Sequence, residues 1–166
     1  MAAGNTFSQI ASTTLGSAAA SVTFSSIAGT YTDLILVINA TAAGTFTSQL
    51  VFNSDNSSTL YSHTDLVGNG TSATSTRTSG GSGYLAILGN VYTTQTNFIA
   101  HIMNYANATT FKTTLSRSNN AGNRLDASVS LWRNTNAITS VRVENYLGAD
   151  LFAAGSTFNL YGITAA

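Results

Sequence analysis

The chain has 166 residues, of which 43% are hydrophobic and only 7% are charged, and its six basic and six acidic residues leave a formal net charge of +0. So few and so evenly balanced charges exclude the basic surface that binds nucleic acid or an anionic membrane. The absence of cysteine excludes disulfides and cysteine-based zinc sites. Because an average domain is about one-quarter charged, the surface of this chain is predicted to consist of Ser, Thr, Asn and Gly.

The beginning of the chain shows no export signal. Residues 1–7 lack both the basic start and the apolar core of a secretory signal peptide. The most apolar run, residues 34–38, is too short to cross a bilayer. We therefore expect a protein that is made in a cytoplasm and has no membrane partner. Residues 1–15 are expected to form an extended arm.

Short β-prone segments recur between clusters of turn-forming residues, and no long helical periodicity is present. In chain order, the predicted strands are residues 7–15, 21–27, 32–39, 47–52, 83–88, 97–105, 110–116, 126–133, 138–145 and 157–163. Many short strands at intervals of about 8–14 residues predict an all-β fold. We expect a single antiparallel β-sandwich domain over residues 1–166, of the jelly-roll type.

Gly, Ser, Thr and Asn mark the predicted turns. The longest low-complexity stretch, residues 68–82, is predicted to be an exposed flexible loop. Residues 118–123 predict a hairpin tip, because Asn and Gly tolerate left-handed backbone. Residues 34–38 are apolar on both faces of their strand. Such a strand is either covered on both sides or faces a neighbouring subunit.

The closing segment, residues 152–163, reads F-A-A-G-S-T-F-N-L-Y-G-I. It resembles the last strand of small all-β structural proteins from the virions of tailed bacteriophages. Four more elements resemble the same family in the same order along the chain. They are F-x-x-I with Y-T-D-L in residues 24–34, F-N-x-D with Y-S in 52–62, N-Y with K-T in 104–113, and W with A-I-T-S in 132–140.

This resemblance implies a virion protein without catalytic residues or a cofactor. The expected role is that of an oligomeric capsid decoration (cement) protein that bridges capsomers of the major capsid protein. A homotrimer is expected by analogy. The alternative is a fibre-tip or tail module that binds host-surface glycan. Its candidate contact is Trp132-Arg133-Asn134, an aromatic ring beside polar donors, although a Trp at this position is more often part of the core.

Other polar residues are candidates for metal or catalytic sites. Asn53, Asp55 and Asn56 form an oxygen-rich loop that could hold Ca²⁺, but the loop lacks the spacing of a calcium motif, and an ordinary Asx turn is the favoured interpretation. Asp33 is interpreted as a turn cap rather than a metal ligand or catalytic acid. No metal site is therefore predicted.

The sequence also predicts that the protein is not an enzyme. It contains no G-x-S-x-G nucleophile motif, and its two histidines are His63 and His101. The acidic residues are scattered along the chain, so the paired carboxylates of a glycoside hydrolase are not evident.

Overall fold

The computed structural model describes residues 6–81, 83–146, 148 and 150–164. Within these ranges the chain forms strands β1 (Phe7–Thr14), β2 (Ser21–Phe24), β3 (Asp33–Ala40), β4 (Phe46–Phe52), β5 (Tyr61–Gly68), β6 (Ala73–Thr78), β7 (Ala86–Val91), β8 (Thr96–Met103), β9 (Lys112–Asn120), β10 (Arg124–Trp132), β11 (Val141–Asn145) and β12 (Thr157–Ile163). A short 3-10 turn covers Ser58–Leu60. The predicted all-β class is confirmed. None of the described residues belongs to a helix that could cross a membrane.

The strands form two antiparallel sheets that face each other. One has eight strands in the order β1-β12-β3-β8-β9-β10-β5-β6, and the other has four in the order β2-β11-β4-β7. Without the hairpins β5–β6 and β9–β10, two four-stranded sheets remain, which is the strand number of the predicted jelly roll. The two hairpins pair with each other through β10 and β5. We call these four strands the hairpin extension.

The apolar core lies between the sheets, where alternate residues of the central strands meet. In β3, Leu34, Leu36 and Ile38 are buried, as the alternation of its burial pattern requires. Phe152 sits between the rings of Phe46 and Phe158, with ring centroids 4.9 and 5.1 Å apart in edge-to-face geometry. Each such fully buried side chain contributes about 1.5–3 kcal/mol.

The segment predicted as a flexible loop contains a strand. Residues 73–78 form β6, which pairs with β5 from His63↔Thr78 to Gly68↔Ala73. The prediction failed because the β-branched threonines at alternate positions favour extended backbone as much as the surrounding glycines favour turns. Its exposure was predicted correctly, since most of β6 is accessible to solvent.

The expected N-terminal arm is also part of the sheet. Phe7–Thr14 forms β1 and pairs with β12 from Phe7↔Ile163 to Thr14↔Thr157. Ile10 and Ala11 pack against the core, and this burial holds the segment in place. The arm prediction is therefore wrong for residues 7–14, whereas the strand predicted over residues 7–15 is confirmed by β1. Residues 1–5 lie outside the described part of the chain.

The hairpin extension has an unusual polarity, because β9 and β10 bury hydroxyl groups and expose aliphatic side chains. Ser116 and Ser128 are buried on the inner face. Strand β7, at the edge of the small sheet, lies directly on this face, and Ser116 Oγ donates a 3.1 Å hydrogen bond to the Ile87 carbonyl. The backbone also comes close at Gly89, where an added Cβ would be 2.4 Å from Ser118 Oγ. Polar side chains are needed here because the backbone groups along the free edge of β7 require hydrogen-bond partners.

Candidate functional site

The outer face of the eight-stranded sheet carries exposed apolar side chains. Leu66, Leu115 and Val129 are 56%, 47% and 41% exposed, respectively. On β3, the residues that alternate with the core positions are only partly buried. We name this surface the apolar outer face, and its members are Ile35, Val37, Leu66, Ile99, Leu115 and Val129.

Strand register brings these side chains together into two adjacent rows. One row is Ile35, His101, Leu115, Val129 and Thr64, and the next is Val37, Ile99, Arg117, Ala127 and Leu66. Neighbours in a row are about 4.8 Å apart, so their side chains touch. The surface therefore extends across five strands and is mainly apolar, with His101 and Arg117 within it, and an apolar patch of this kind is typical of a contact site.

The Asp33–His101 pair near this face is satisfied within the chain, whereas Arg117 makes no ion pair among the described residues. His101 Nε2 lies 2.7 Å from Asp33 Oδ2, and the Asn104 amide donates a 2.7 Å hydrogen bond to Asp33 Oδ1. Asn104 has a positive φ of 50°, so the carboxylate stabilises a left-handed turn residue. The capping interpretation of Asp33 is confirmed. His101 points outward from its strand, beside Leu115.

A cleft of about 320 Å³ lies between the hairpin extension and β7. It exists because the small sheet ends at β7 among the described strands, whereas the large sheet continues to β5 and β6. Polar groups line it mainly on the β5, β6 and β10 side, Val67 and Ile87 supply apolar groups, and Asn90 adds a polar group on the β7 side. Its walls include Asp65, Val67, Thr76, Tyr84, Ile87 and Ser128.

Three polar atoms of residues that line this cleft have no hydrogen-bond partner among the described residues. They are Ser128 Oγ, Asp65 Oδ1 and His63 Nδ1. Ser128 is 4% exposed, so its hydroxyl is shielded from bulk water as well. Burying an unpaired polar group costs about 1–3 kcal/mol. Such groups at a cleft indicate hydrogen-bonding capacity that the fold itself does not use.

A histidine and a carboxylate face each other on β5. His63 Nε2 lies 3.3 Å from Asp65 Oδ2. Burial lowers the pKa of His63, and the Asp65 carboxylate opposes that shift only in part. His63 Nδ1 faces the Leu85 backbone without a hydrogen bond of ordinary geometry. The ring is therefore neutral near pH 7, so it places no positive charge beside Asp65.

The second carboxylate of the cleft is already engaged. Asp126 is ion-paired with Arg124 and accepts a 2.8 Å hydrogen bond from Ser118 Oγ. Burial lowers the pKa of Arg124, but its hydrogen bond and charge attraction to Asp126, with further contributions from Tyr92 and Asp65, together raise it above the ordinary value. The sequence shows Asp65 and Asp126 as two of several scattered acids, and the pairing of β10 with β5 brings them to one cleft.

The predicted glycan contact lies elsewhere and is not accessible. Trp132 is 1% exposed, stacks near Tyr61 and donates a 2.8 Å hydrogen bond from Nε1 to Asp55 Oδ2. It is a core residue, so its ring offers no face to a sugar. Arg133 donates to Ser62 Oγ at 2.9 Å, and Asn134 Oδ1 accepts from the Asn136 amide. The contact prediction is therefore wrong for Trp132.

The oxygen-rich loop considered for Ca²⁺ binds its own chain. Asn53 Oδ1 accepts hydrogen bonds from the Thr139 and Ser140 amides at 2.8 and 3.1 Å. Asp55 Oδ1 accepts from the Ser57 amide at 3.0 Å, which is an Asx turn. Asn56 Oδ1 accepts from Arg142 at 2.8 Å. No group of three metal-ligating side chains occurs within the described ranges.

Lys112 is a buried cation at the end of the hairpin extension. Its Nζ donates hydrogen bonds to the carbonyls of Thr110 and Thr135 at 2.8 and 3.0 Å. Burial lowers its pKa. Because both acceptors are loop carbonyls, the side chain ties two loops together, and we assign it a structural role.

A nucleophile and base do not meet in the described part of the chain. Ser130 lies opposite His63 in the β10–β5 register, but its Oγ makes no hydrogen bond to the ring. A serine nucleophile needs that bond to lose its proton. No local sequence pattern indicated the cleft, because residues 61–68 were not predicted to form a strand. The spacing of His63 and Asp65 places them on one face only if these residues form a strand.

No protein-family model matches the chain, and no curated protein matches it. One solved structure with some likeness is a sucrose-6-phosphate hydrolase from Lactobacillus gasseri. The identity is 11%, the TM-score is 0.36, and the match covers 89% of this chain and 28% of the hydrolase. The chain thus spans less than a third of that protein, and a likeness this weak carries no argument about function.

Proposed function

We propose that this chain is a structural protein of a tailed-phage virion, namely an oligomeric capsid decoration protein that bridges capsomers of the major capsid protein. The resemblance of five ordered sequence elements supports the virion role. The observation that carries the adhesive mechanism is the mainly apolar outer face on a sandwich in which only 7% of the residues are charged. Many copies of one weak contact would together stabilise the capsid shell through avidity.

A second copy of this chain is the proposed occupant of the apolar outer face. The five strands that carry the apolar outer face are about 4.8 Å apart and about 26 Å long and present roughly 600 Å², so a two-fold contact would also include neighbouring strands of the same sheet. A stable interface buries about 800 Å² on each partner. The net charge of +0 means that two copies do not repel each other. Identical faces packed about a two-fold axis would form an aligned sheet-on-sheet contact.

The oligomer size tests this contact. Light scattering during gel filtration should give a multiple of the 17.2 kDa chain mass. A doubled mass fits a two-fold contact between outer faces, and a tripled mass fits the trimer expected by analogy. A monomer at concentrations up to about 1 mM would overturn self-association, since that corresponds to only about 4 kcal/mol of binding.

Substitutions at the centre of the face test its location. Leu115→Thr and Val129→Thr place a β-branched residue at each exposed strand position, so the fold should persist. The double variant should weaken self-association at least tenfold, because it removes apolar area from both copies. Phe111→Thr is the matched control, since Phe111 is 51% exposed but lies outside the strands. Equal weakening by the control would contradict the assignment.

Labelling of purified virions with an antibody against this protein tests the biological role. Signal over the whole head is expected for a decoration protein. Signal confined to tail tips or fibres would instead support the glycan-binding module. That alternative cannot use Trp132, because the ring is buried, and it would need another site.

A further inference from the structure

We infer that the cleft between β5, β7 and β10 is a binding site for one neutral sugar unit of a glycan. The observation behind this inference is a polar recess whose buried hydroxyl and carboxylate groups, Ser128 Oγ and Asp65 Oδ1, have no partner within the described part of the chain. Structural virion proteins do not require such a recess, so the inference goes beyond the proposed function.

The size of the cleft limits the ligand. Its volume of about 320 Å³ is at the lower end of small-molecule sites, which span about 300–1,000 Å³. A single pyranose unit fits this range, whereas a nucleotide or an extended peptide would extend well beyond the walls. The site therefore suits one residue of a chain or a free monosaccharide.

The charge of the cleft selects against anions. Asp126 is neutralised by its ion pair with Arg124, and the buried His63 is uncharged near neutral pH. Asp65 remains as the unbalanced charge, with one oxygen near His63 and the other unpaired. Phosphate, sulfate and uronic acids would be repelled. A ligand rich in hydroxyl donors would be attracted, because a carboxylate accepts hydrogen bonds from neutral hydroxyls without a partner charge.

The remaining walls match the two sides of a sugar ring. Thr76 lies on the exposed strand β6 and offers a hydroxyl that can donate or accept. Val67 and Ile87 supply apolar contact for the C–H face of a pyranose. Tyr84 adds an aromatic wall and is braced by Tyr146, whose ring stacks on it with centroids 4.0 Å apart. Polar donors beside a fixed aromatic ring are a frequent combination in small-ligand sites.

The direct test is titration of isotope-labelled protein with methyl glucoside, methyl galactoside and methyl mannoside, followed by amide NMR shifts. At least one of these neutral sugars should shift the amides of residues 61–68, 86–91 and 124–132. Glucuronate should shift them much less. No change with any neutral sugar up to about 50 mM, which corresponds to under 2 kcal/mol of binding, would overturn the inference, and so would equal binding of glucuronate.

Two variants separate binding from folding. Ser128→Ala removes a hydroxyl that the fold does not pair, so the melting temperature should stay equal or rise while sugar affinity falls several-fold. Asp65→Asn should weaken affinity at least tenfold. Asp33→Asn is the matched control, because it alters a His–Asp pair on the opposite face of the same sheet. Unchanged affinity in Ser128→Ala and Asp65→Asn, or an equal loss in Asp33→Asn, would refute the site.

The result of the sugar titration is independent of self-association. The oligomer mass reports on the outer face, and the NMR shifts report on the cleft at the inner face. The same samples should be assayed for reducing-sugar release. Binding without release is the expected result, because Asp126 is held by Arg124 and Ser118 and cannot act as a second free carboxylate.

Discussion

At the scale of single residues, close backbone approaches explain several glycines. Gly162 lies in the middle of β12, where glycine is normally unfavourable. A Cβ at this position would be 2.3 Å from Cγ of the Tyr31 ring. The ring therefore packs directly on the strand backbone, and only glycine leaves room for it.

Replacement of Gly162 by Ala should destabilise the protein. The added methyl group must displace the Tyr31 ring, and overpacking of this kind costs about 1–3 kcal/mol. The melting temperature should fall by several degrees in thermal unfolding followed by circular dichroism. Gly16→Ala is the control, since no atom lies within 4 Å of its Cβ position. An unchanged melting temperature in Gly162→Ala would contradict the packing of Tyr31.

His63 should make stability depend on pH. Its pKa in the folded protein is lowered by burial, so the unfolded chain, with an ordinary value of about 6.5, takes up the proton first. The contribution of His63 is thus fully present above about pH 6.5 and is lost as the pH falls below that value. The melting temperature should drop between pH 7 and pH 5, and His63→Gln should reduce that drop more than His101→Gln does.

At the scale of elements, the closing strand is essential to the core. Leu160 is fully buried and faces the opposite sheet from β12, between β1 and β3. Leu160→Asp would place an unpaired charge there, which costs several kcal/mol. We expect loss of soluble protein, measured as yield after expression. Leu160→Met should retain most of the yield, because it conserves volume and polarity.

Strand β6 should be indispensable although it is exposed. Deletion of residues 72–79 leaves three residues after Gly68, which reach only about 14 Å. Gly80 packs against Thr59 near the start of β5, and the length of β5 is about 26 Å. The shortened connection cannot close, so the soluble yield should collapse. Normal yield and melting temperature would show that β6 does not pair with β5.

Sequence alternation predicted the strands of the core and strands β9 and β10 of the hairpin extension, but it did not predict β5 and β6. In β3 and β12, alternate residues are apolar and buried, so the local pattern and the fold agree. In β5, the inner positions include His63 and Asp65, and the alternation therefore carries no apolar signal. Residues 128–132 alternate clearly, but Val129 faces outward and Ser128 inward, so hydropathy alone would orient the strand incorrectly.

The cleft depends on long-range pairing that no local pattern encodes. It forms only because β10 pairs with β5, which lies some sixty residues earlier in the chain. The unpaired atoms of Ser128 and Asp65 are likewise a property of the assembled sheets. The sequence therefore shows that these residue types are present, but a local pattern cannot predict that they lie close together in the fold.

At the scale of the whole molecule, association should depend little on salt. The apolar outer face contributes aliphatic side chains, and the Asp33–His101 pair is satisfied within one chain. Raising the ionic strength from about 0.05 M to 0.5 M shortens the Debye length from about 14 to 4 Å. The dissociation constant measured by sedimentation should change less than about threefold. A tenfold or larger change would indicate that charge contacts dominate.

The two ends of the eight-stranded sheet, β1 and β6, are both unpaired along one side among the described strands. Their sequences differ, so joining β6 of one copy to β1 of the next would be a head-to-tail addition that leaves a fresh edge after every step. Arg77 is the charged residue of β6, and β1 has none, so neither edge carries the lysines that usually discourage such addition. Addition of this kind does not stop by itself. A lattice that binds the copies at fixed distances from one another would stop it.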